Sequence, residues 1–291
     1  MSRTANAGGD PVHDDAERPA VSVSRNGSVA SVTIGRGTRH NVLGCRDWVA
    51  LEEAFGELET EGRLRAVVLA GRGTSFSAGF DMREWEGAEP ADVDSAFALM
   101  EAACAAIEKL PVPVVATVRG VAAGAGCQLA LACDLRVFGG RARIGMPIAR
   151  LGILASPSFA ARLSLLAGPG AARDLLYTGR LIGAAEAARL GLVTRCVAES
   201  RLDAATRELV ESIVAHPPAA IRAAKRAVGA GLGPAIDAAR LAAAGPAVDY
   251  GDFREGVAAF LHSKPRADRG RACQFPYQPA DEHPSKPPRR A

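Results

Sequence analysis

Two buried strands, each followed by a glycine-containing loop and a helical pattern, place the strongest limit on how this chain folds. Residues 66–70 and 114–118 are short, largely apolar runs. Helical periodicity follows them over residues 93–110 and 127–133. A repeated strand, turn and helix is typical of domains in which helices cover a sheet. The sequence therefore predicts an α/β fold, preceded by a β-hairpin over residues 21–34.

The chain beyond residue 158 is predicted to be nearly all helical, since Ala-rich segments there are punctuated by Gly and Pro. We divide the chain into four parts. These are a disordered extension over 1–19, an α/β core over 20–201, a helical segment over 202–266 and a disordered tail over 267–291. Both ends are assigned as disordered because they are polar, charged and rich in Pro or Gly.

Composition excludes several classes of protein. The chain has 291 residues, 48% of them hydrophobic, but no uninterrupted apolar run of the roughly 18 residues that a membrane span needs. Residues 1–19 contain no hydrophobic segment of the kind found in secretory signals, so we expect a cytoplasmic protein that contacts no membrane. The six cysteines form no C-x-x-C pair, which argues against a metal site and favours free thiols.

The net charge is concentrated at the two ends of the chain. Of the total of +3, residues 1–19 carry −2 and residues 262–291 carry +4, so the core between them carries only +1. A nucleic-acid-binding domain would concentrate basic residues on one face. We therefore expect no nucleic-acid partner.

Two glycine-containing loops are the candidates for chemistry. They are S-A-G-F-D at residues 77–81 and G-A-G-C-Q at residues 124–128. Backbone N–H groups at the start of a helix have no partner within the helix and carry partial positive charge. Two such turns that face each other can hold one oxygen that becomes negative during a reaction. Taken singly, each loop is also explained as a tight turn that requires glycine.

Together with two further motifs, these loops resemble the enoyl-CoA hydratase/isomerase (crotonase) superfamily. The first motif, F-S-A-G-F-D, occupies residues 76–81, and the second, P-V-V-A-T-V-R-G-V-A-A-G-A-G, occupies 113–126. L-A-L-A-C-D follows at 129–134, and F-R-E-G-V-A-A-F at 253–260 precedes Lys264 and Pro265. The motifs occur in the family's order, and the resemblance extends over residues 21–266.

The resemblance implies a fold, an assembly and a substrate. The fold is a core of repeated ββα units with a C-terminal helical segment that forms homotrimers or dimers of trimers. The substrate is an acyl-CoA thioester whose carbonyl oxygen lies between the N–H groups of Phe80 and Ala125. CoA enters as part of the substrate, with no further cofactor and no metal. The same resemblance assigns substrate binding to Ala78, Gly79, Asp81 and Gly124, and CoA-phosphate binding to Arg83 and Lys264.

The chain departs from the family where a hydratase handles protons. Water addition needs one group to take a proton from water and another to protonate Cα. The two glutamates that do this in hydratases correspond by motif position to Gln128 and Ile148, neither of which can transfer a proton. A later acid position, used by related dehalogenases and dienoyl isomerases, falls at or near Ser156.

Three hypotheses follow. In the first, the chain is an enoyl-CoA hydratase/isomerase-like enzyme that stabilises an enolate and moves protons by non-standard groups. In the second, it is a non-catalytic acyl-CoA-binding protein that has lost both glutamates. In the third, it is an ordinary hydratase whose glutamates lie one loop away from the positions we infer.

Overall fold

A computed structural model describes residues 18–242 and 245–262 of the chain. The predicted disordered ends lie outside these ranges except for Arg18 and Pro19, and the boundary at residue 202 stays a prediction. The described strands are β1 (Val21–Asn26), β2 (Val29–Ile34), β3 (Ala66–Gly71), β4 (Val114–Val118), β5 (Val121–Ala123), β6 (Leu135–Gly139), β7 (Arg143–Gly145), β8 (Leu181–Gly183) and β9 (Arg195–Val197). The described helices are α1 (Cys45–Glu59), α2 (Pro90–Lys109), α3 (Ala125–Ala132), α4 (Pro157–Thr178), α5 (Ala184–Arg189), α6 (Leu202–Val214), α7 (Pro218–Ala242) and α8 (Tyr250–Leu261).

The strands form two sheets. The larger has the order β1-β2-β3-β4-β6-β9, and the smaller has the order β5-β7-β8. The predicted hairpin is present, since β1 and β2 pair antiparallel through a turn in which Gly27 has φ 60°. From β2 to β9 the pairs of the larger sheet are parallel, as expected where helices connect the strands. This mixed arrangement, with a helical C-terminal region, matches the crotonase-like α/β fold.

Three short strands differ from the sequence analysis. The expectation of nearly continuous helix after residue 158 is wrong, because β8 joins the smaller sheet and β9 forms an edge of the larger one. The segment 120–126, interpreted as a loop, contains β5. Each of these strands has three residues, which is too short for an alternating pattern to be distinguished from its surroundings.

The larger sheet is covered on both faces. Val114, Ala116 and Val118 of β4 pack in the main core with the side chains of α1 to α4. Val115, between them, packs in a separate cluster with side chains of α6. Successive side chains of a strand point to opposite faces, so a strand buried on both sides is apolar without interruption. This explains the continuous apolar run that identified β4 in the sequence.

Helix α7 contrasts with the other long helices because none of its residues is buried. It packs on α4 across a cavity of about 600 Å³, and Val228 and Leu232 remain 61% and 37% exposed. None of the described helices is long and apolar enough to cross a membrane.

Candidate active site

Asn41 holds the first glycine loop in place. It is only 2% exposed, and its side-chain N–H groups donate to the carbonyls of Ser75 at 2.7 Å and Arg72 at 2.8 Å. Its own carbonyl accepts the hydroxyl of Ser77 at 2.8 Å. Asn41 ends a turn, 39–41, whose three residues all have positive φ. Left-handed backbone is costly for residues other than glycine, so these hydrogen bonds offset strain directly beside the loop.

The pairing of the first loop with Leu43 leaves the backbone N–H of Phe80 without an acceptor among the described residues. Leu43 forms a parallel bridge with Phe80, donating its N–H to the Gly79 carbonyl at 2.8 Å and accepting the Asp81 N–H at 3.0 Å. In a parallel bridge these bonds go to the residues on either side of Phe80. The Phe80 N–H therefore points away from Leu43, and it finds no acceptor among the described residues.

The second loop presents a similar group at the start of α3. Gly124 caps the helix with φ 55° and ψ −127°, a conformation that favours glycine. Ala125 is the first residue of α3, so its N–H has no partner within the helix. None of the described residues accepts that N–H either.

The two loops are in direct backbone contact. Ser77 and Ala122 form a parallel bridge, and the Ala123 N–H donates to the Ser77 carbonyl at 3.0 Å. A Cβ atom added to Gly126 would lie 2.1 Å from the Ser77 carbonyl oxygen, and one added to Gly79 would lie 2.8 Å from the Ala125 nitrogen. Both glycines are therefore required by the close approach of the backbones that carry the two N–H groups.

Gly126→Ala is expected to separate the loops and to destabilise the chain. Backbone cannot move as cheaply as a flexible side chain, so we expect a loss of about 1–3 kcal/mol in the free energy of unfolding. Urea denaturation measures it. Gly56→Ala is the matched control, because Gly56 lies exposed inside α1 with no atom within 4 Å of an added Cβ. That control should gain about 0.5–1 kcal/mol. Equal effects of the two substitutions would contradict the close packing.

Phe80 and Ala125 line one cavity of about 460 Å³. Its walls come from the two loops, from the turn Pro147–Leu151, from α2 and from the end of α8. Of the residues assigned from sequence, the structure brings to this cavity Ala78, Phe80, Asp81, Arg83, Gly124, Ala125, Gln128, Ile148 and Ser156. Gly79 is adjacent to them in the first loop, and Lys264 lies outside the described residues.

The walls where glutamates were expected carry no carboxylate. Gln128 is 5% exposed, and its side-chain oxygen has no hydrogen-bond partner among the described residues. Buried polar atoms are nearly always satisfied in folded proteins, so this oxygen is available to a donor from a ligand or a water. Ile148 is 9% exposed and presents only carbon.

Asp81 places a carboxylate at the cavity, and two arginines form ion pairs with it. It forms ion pairs with Arg39 at 3.2 Å and with Arg83, and it accepts the backbone N–H of Arg83 at the start of the turn Met82–Trp85. Burial raises the pKa of Asp81 above its ordinary value, although Arg39 opposes that shift. The Arg39 and Arg83 side chains remain 50% and 57% exposed.

The sequence analysis missed the wall that α2 contributes. Phe97 and Met100 line the cavity, and Trp85 stacks on Phe97 with ring centroids 5.4 Å apart. Phe80 packs against Trp85 at 4.6 Å, so these aromatic contacts also fix the first loop. The helical spacing of Phe97 and Met100 was the available signal. Helical periodicity alone does not distinguish a helix face that packs in a core from one that lines a cavity.

Comparisons with known proteins identify the family of the chain. A sequence model of the enoyl-CoA hydratase/isomerase family matches residues 24–266. The chain is 34% identical over 248 residues to the short-chain-enoyl-CoA hydratase of Clostridium acetobutylicum, covering 84% of this chain and 95% of that protein. It is 35% identical over 204 residues to the carnitinyl-CoA dehydratase of Salmonella enteritidis, covering 70% of this chain and 77% of that protein.

Solved structures give the same result. An enoyl-CoA hydratase from Mycobacterium avium subsp. paratuberculosis superposes with a TM-score of 0.74 at 26% identity, covering 84% of this chain and 96% of that one. An enoyl-CoA hydratase from Mycobacterium smegmatis gives a TM-score of 0.69 at 32% identity, covering 86% and 98%. The fold, the motif order and these similarities together place the chain in the enoyl-CoA hydratase/isomerase family, within the crotonase superfamily.

Proposed function

We propose that this chain binds an acyl-CoA thioester in the 460 Å³ cavity and stabilises the negative thioester oxygen with the N–H groups of Phe80 and Ala125. The observation that carries the proposal concerns two N–H groups that have no acceptor among the described residues. They belong to loops in direct contact, and Phe80 and Ala125 line one cavity. The amino end of α3 adds partial positive charge there. Donors fixed by the fold stabilise developing charge without reorganisation when the reaction occurs.

The remaining walls support this choice of substrate. Ile148, Ile153 and Met100 give the cavity apolar surface suited to an unpolarised acyl chain. The exposed guanidinium groups of Arg39 and Arg83 border the same cavity and offer pairing to the CoA phosphates. CoA would arrive as part of the substrate, with no further cofactor.

The reaction we propose is proton transfer through an enolate, with hydration suppressed. An enolate-stabilising site supports a double-bond shift or exchange of the α-proton without any water addition. Hydration additionally needs two proton-transfer groups at the positions that Gln128 and Ile148 occupy. Each missing group costs about 10²–10⁴ in rate.

The second candidate is a protein that binds acyl-CoA and performs no chemistry. The observation that favours it concerns Asp81. Among the described residues that line the cavity, Asp81 is the one with a carboxylate, and this group already forms ion pairs with Arg39 and Arg83. Such a protein would retain the two N–H groups for affinity alone.

Incubation with saturated, 2-enoyl and 3-enoyl-CoAs in D₂O, followed by mass spectrometry, separates these functions. We expect deuterium at the α or γ carbon with no addition of water. Addition of D₂O to crotonyl-CoA would contradict our interpretation of Gln128 and Ile148 and restore the hydratase hypothesis. Retention of ligand with an unchanged mass would favour the second candidate.

We also propose that the chain functions in the cytoplasm as a homotrimer or a dimer of trimers, with α7 at the interface. Support comes from the absence of buried residues in α7 within one described chain and from the exposure of Val228 and Leu232. Apolar surface of this kind is commonly buried between subunits. Light scattering should give three or six times the 30.1 kDa mass of one chain. A monomer mass would contradict the proposal.

A further inference from the structure

A carboxylate lies directly behind one wall of the cavity, supplied by α2. Glu101 of α2 accepts the hydroxyl of Ser156 at 2.8 Å on one carboxylate oxygen and the hydroxyl of Ser158 at 2.9 Å on the other. Ser156 lines the cavity, whereas Glu101 does not. The position at which an acid was expected from sequence is thus occupied by a serine that is hydrogen-bonded to an acid from another helix.

The hydroxyl of Ser156 retains capacity for a cavity ligand. Its one hydrogen is directed to Glu101, and its oxygen accepts the backbone N–H of Phe159 at 3.2 Å as the cap of α4. A hydroxyl oxygen has two lone pairs. Ser158 Oγ also lies 3.1 Å from Ser156 Oγ. Because Ser158 directs its one hydrogen to the second oxygen of Glu101, it does not donate to Ser156, and one lone pair of Ser156 is left for a substrate atom.

Glu101 lies close to two sources of positive charge. The guanidinium of Arg162, only 3% exposed, interacts electrostatically with Glu101. The amino end of α4, which carries partial positive charge, lies at Ser156. The Glu101 carboxylate accepts the hydroxyl hydrogens of both serines, so it is the group to which a proton leaving Ser156 would pass.

We propose that Ser156 is the catalytic residue that moves a proton between Cα and Cγ of an enoyl-CoA, with Glu101 as its positioning residue and proton store. The inference rests on the proposed function, and it names 3-enoyl and 2-enoyl thioesters as the substrate class.

Starting from the 3-enoyl ester, the Cα–H bond breaks and its electron pair delocalises into the thioester as a dienolate, held by the N–H groups of Phe80 and Ala125. Ser156 Oγ binds that proton as its own proton passes to Glu101 Oε1. In the return step Glu101 gives its proton back to Ser156, Ser156 gives one to Cγ, and the 2-enoyl ester forms. Both side chains end as they began.

A purely structural role for the pair makes a different prediction. If Ser156 only capped α4 and Glu101 only held the cap, substitutions would lower the melting temperature and leave the ratio of turnover to binding unchanged. Ser156→Asn separates the two roles, because asparagine is as good a helix cap as serine but has no hydroxyl. Ser156→Thr keeps both the cap and the hydroxyl.

The experiment uses the full chain with 3-hexenoyl-CoA, follows formation of the 2-enoyl ester by its absorbance, and measures alongside the Kd of hexanoyl-CoA, which has no double bond to shift. We expect Ser156→Ala, Ser156→Asn and Glu101→Gln to slow isomerisation by about 10²–10⁴-fold with the Kd unchanged, and Ser156→Thr to retain isomerisation. Asp92→Asn is the matched control, because Asp92 lies exposed in the first turn of the same helix and does not line the cavity. It should isomerise 3-hexenoyl-CoA as the unsubstituted chain does.

The outcomes separate a failure of the proton relay from a failure of the proposed function. If the unsubstituted chain isomerises 3-hexenoyl-CoA and both Ser156→Asn and Glu101→Gln match its rate, the proton relay is overturned and the proposed function stands. Exchange of the α-proton without isomerisation would likewise overturn the relay alone. If the unsubstituted chain binds hexanoyl-CoA but neither isomerises 3-hexenoyl-CoA nor exchanges an α-proton, the proposed function is overturned, and the relay with it.

Discussion

Replacing Ala125 with proline is expected to remove enolate chemistry while leaving the fold intact. Proline has no N–H, so this substitution deletes one of the two donors to the thioester oxygen. Loss of one such donor typically costs about 10²–10³ in rate, and the proline ring would also occupy space where the oxygen binds. Ala125 is the first residue of α3, the helix position at which proline is best tolerated. Deuterium exchange on a saturated acyl-CoA measures the loss.

The chain supplies a close control for this substitution. Gly183 caps α5 and Ala184 is its first residue, which repeats the Gly124–Ala125 pair at a helix that does not line the cavity. Ala184→Pro should keep the exchange rate and, like Ala125→Pro, the thermal unfolding temperature. If Ala125→Pro exchanged as fast as Ala184→Pro, the N–H of Ala125 would have no part in the reaction.

Introducing glutamate at both Gln128 and Ile148 should create a hydratase. The two side chains line the cavity that holds the N–H groups of Phe80 and Ala125, so the double variant would add a base for water beside an existing oxyanion site. Each proton-transfer group contributes about 10²–10⁴ in rate, and we therefore expect hydration of crotonyl-CoA to rise by at least about 10²-fold over the unsubstituted chain. Loss of the crotonyl-CoA enoyl absorbance follows the reaction.

We expect the gain in hydration to depend on where the two carboxylates are placed rather than on the added negative charge. Gln128→Glu combined with Ile153→Glu places the same two carboxylates in the same cavity, one of them on a residue that corresponds to no hydratase glutamate. That pair should remain inactive, and each single substitution should gain less than the double. Equal hydration by both double variants would refute the assignment of Ile148.

The two loops that carry the proposed oxyanion donors can be recognised in the sequence more directly than the side chains around them. The loops at 77–81 and 124–128 carry local signals, because a helix start and a required glycine are both readable within a few positions. Glu101 carries no such signal, since 55 residues separate it from Ser156 and only the packing of α2 against the start of α4 brings the two together. Motif position identifies residue 156, whereas the carboxylate that accepts the Ser156 hydroxyl comes from another helix.

The missed strands have a related physical cause. Arg195–Val197 is half exposed and contains a charged residue, so nothing in its composition indicates a strand. It becomes one because β6 offers a free edge for parallel pairing. Tertiary context of this kind overrides weak local preference.

The two groups proposed to hold the substrate oxygen belong to the main chain, and this divides the site by how it responds to mutation. Nearly every side-chain replacement at Phe80 or Ala125 keeps an amide in place, whereas one replacement at Gln128, Ile148 or Ser156 changes how a proton can move. A lineage built on this scaffold can therefore alter its reaction by single substitutions without first losing its hold on the thioester. This capacity for change arises because the proposed donors to the negative oxygen are main-chain N–H groups, whereas the proposed proton transfer depends on side chains. It requires no flexibility in the fold.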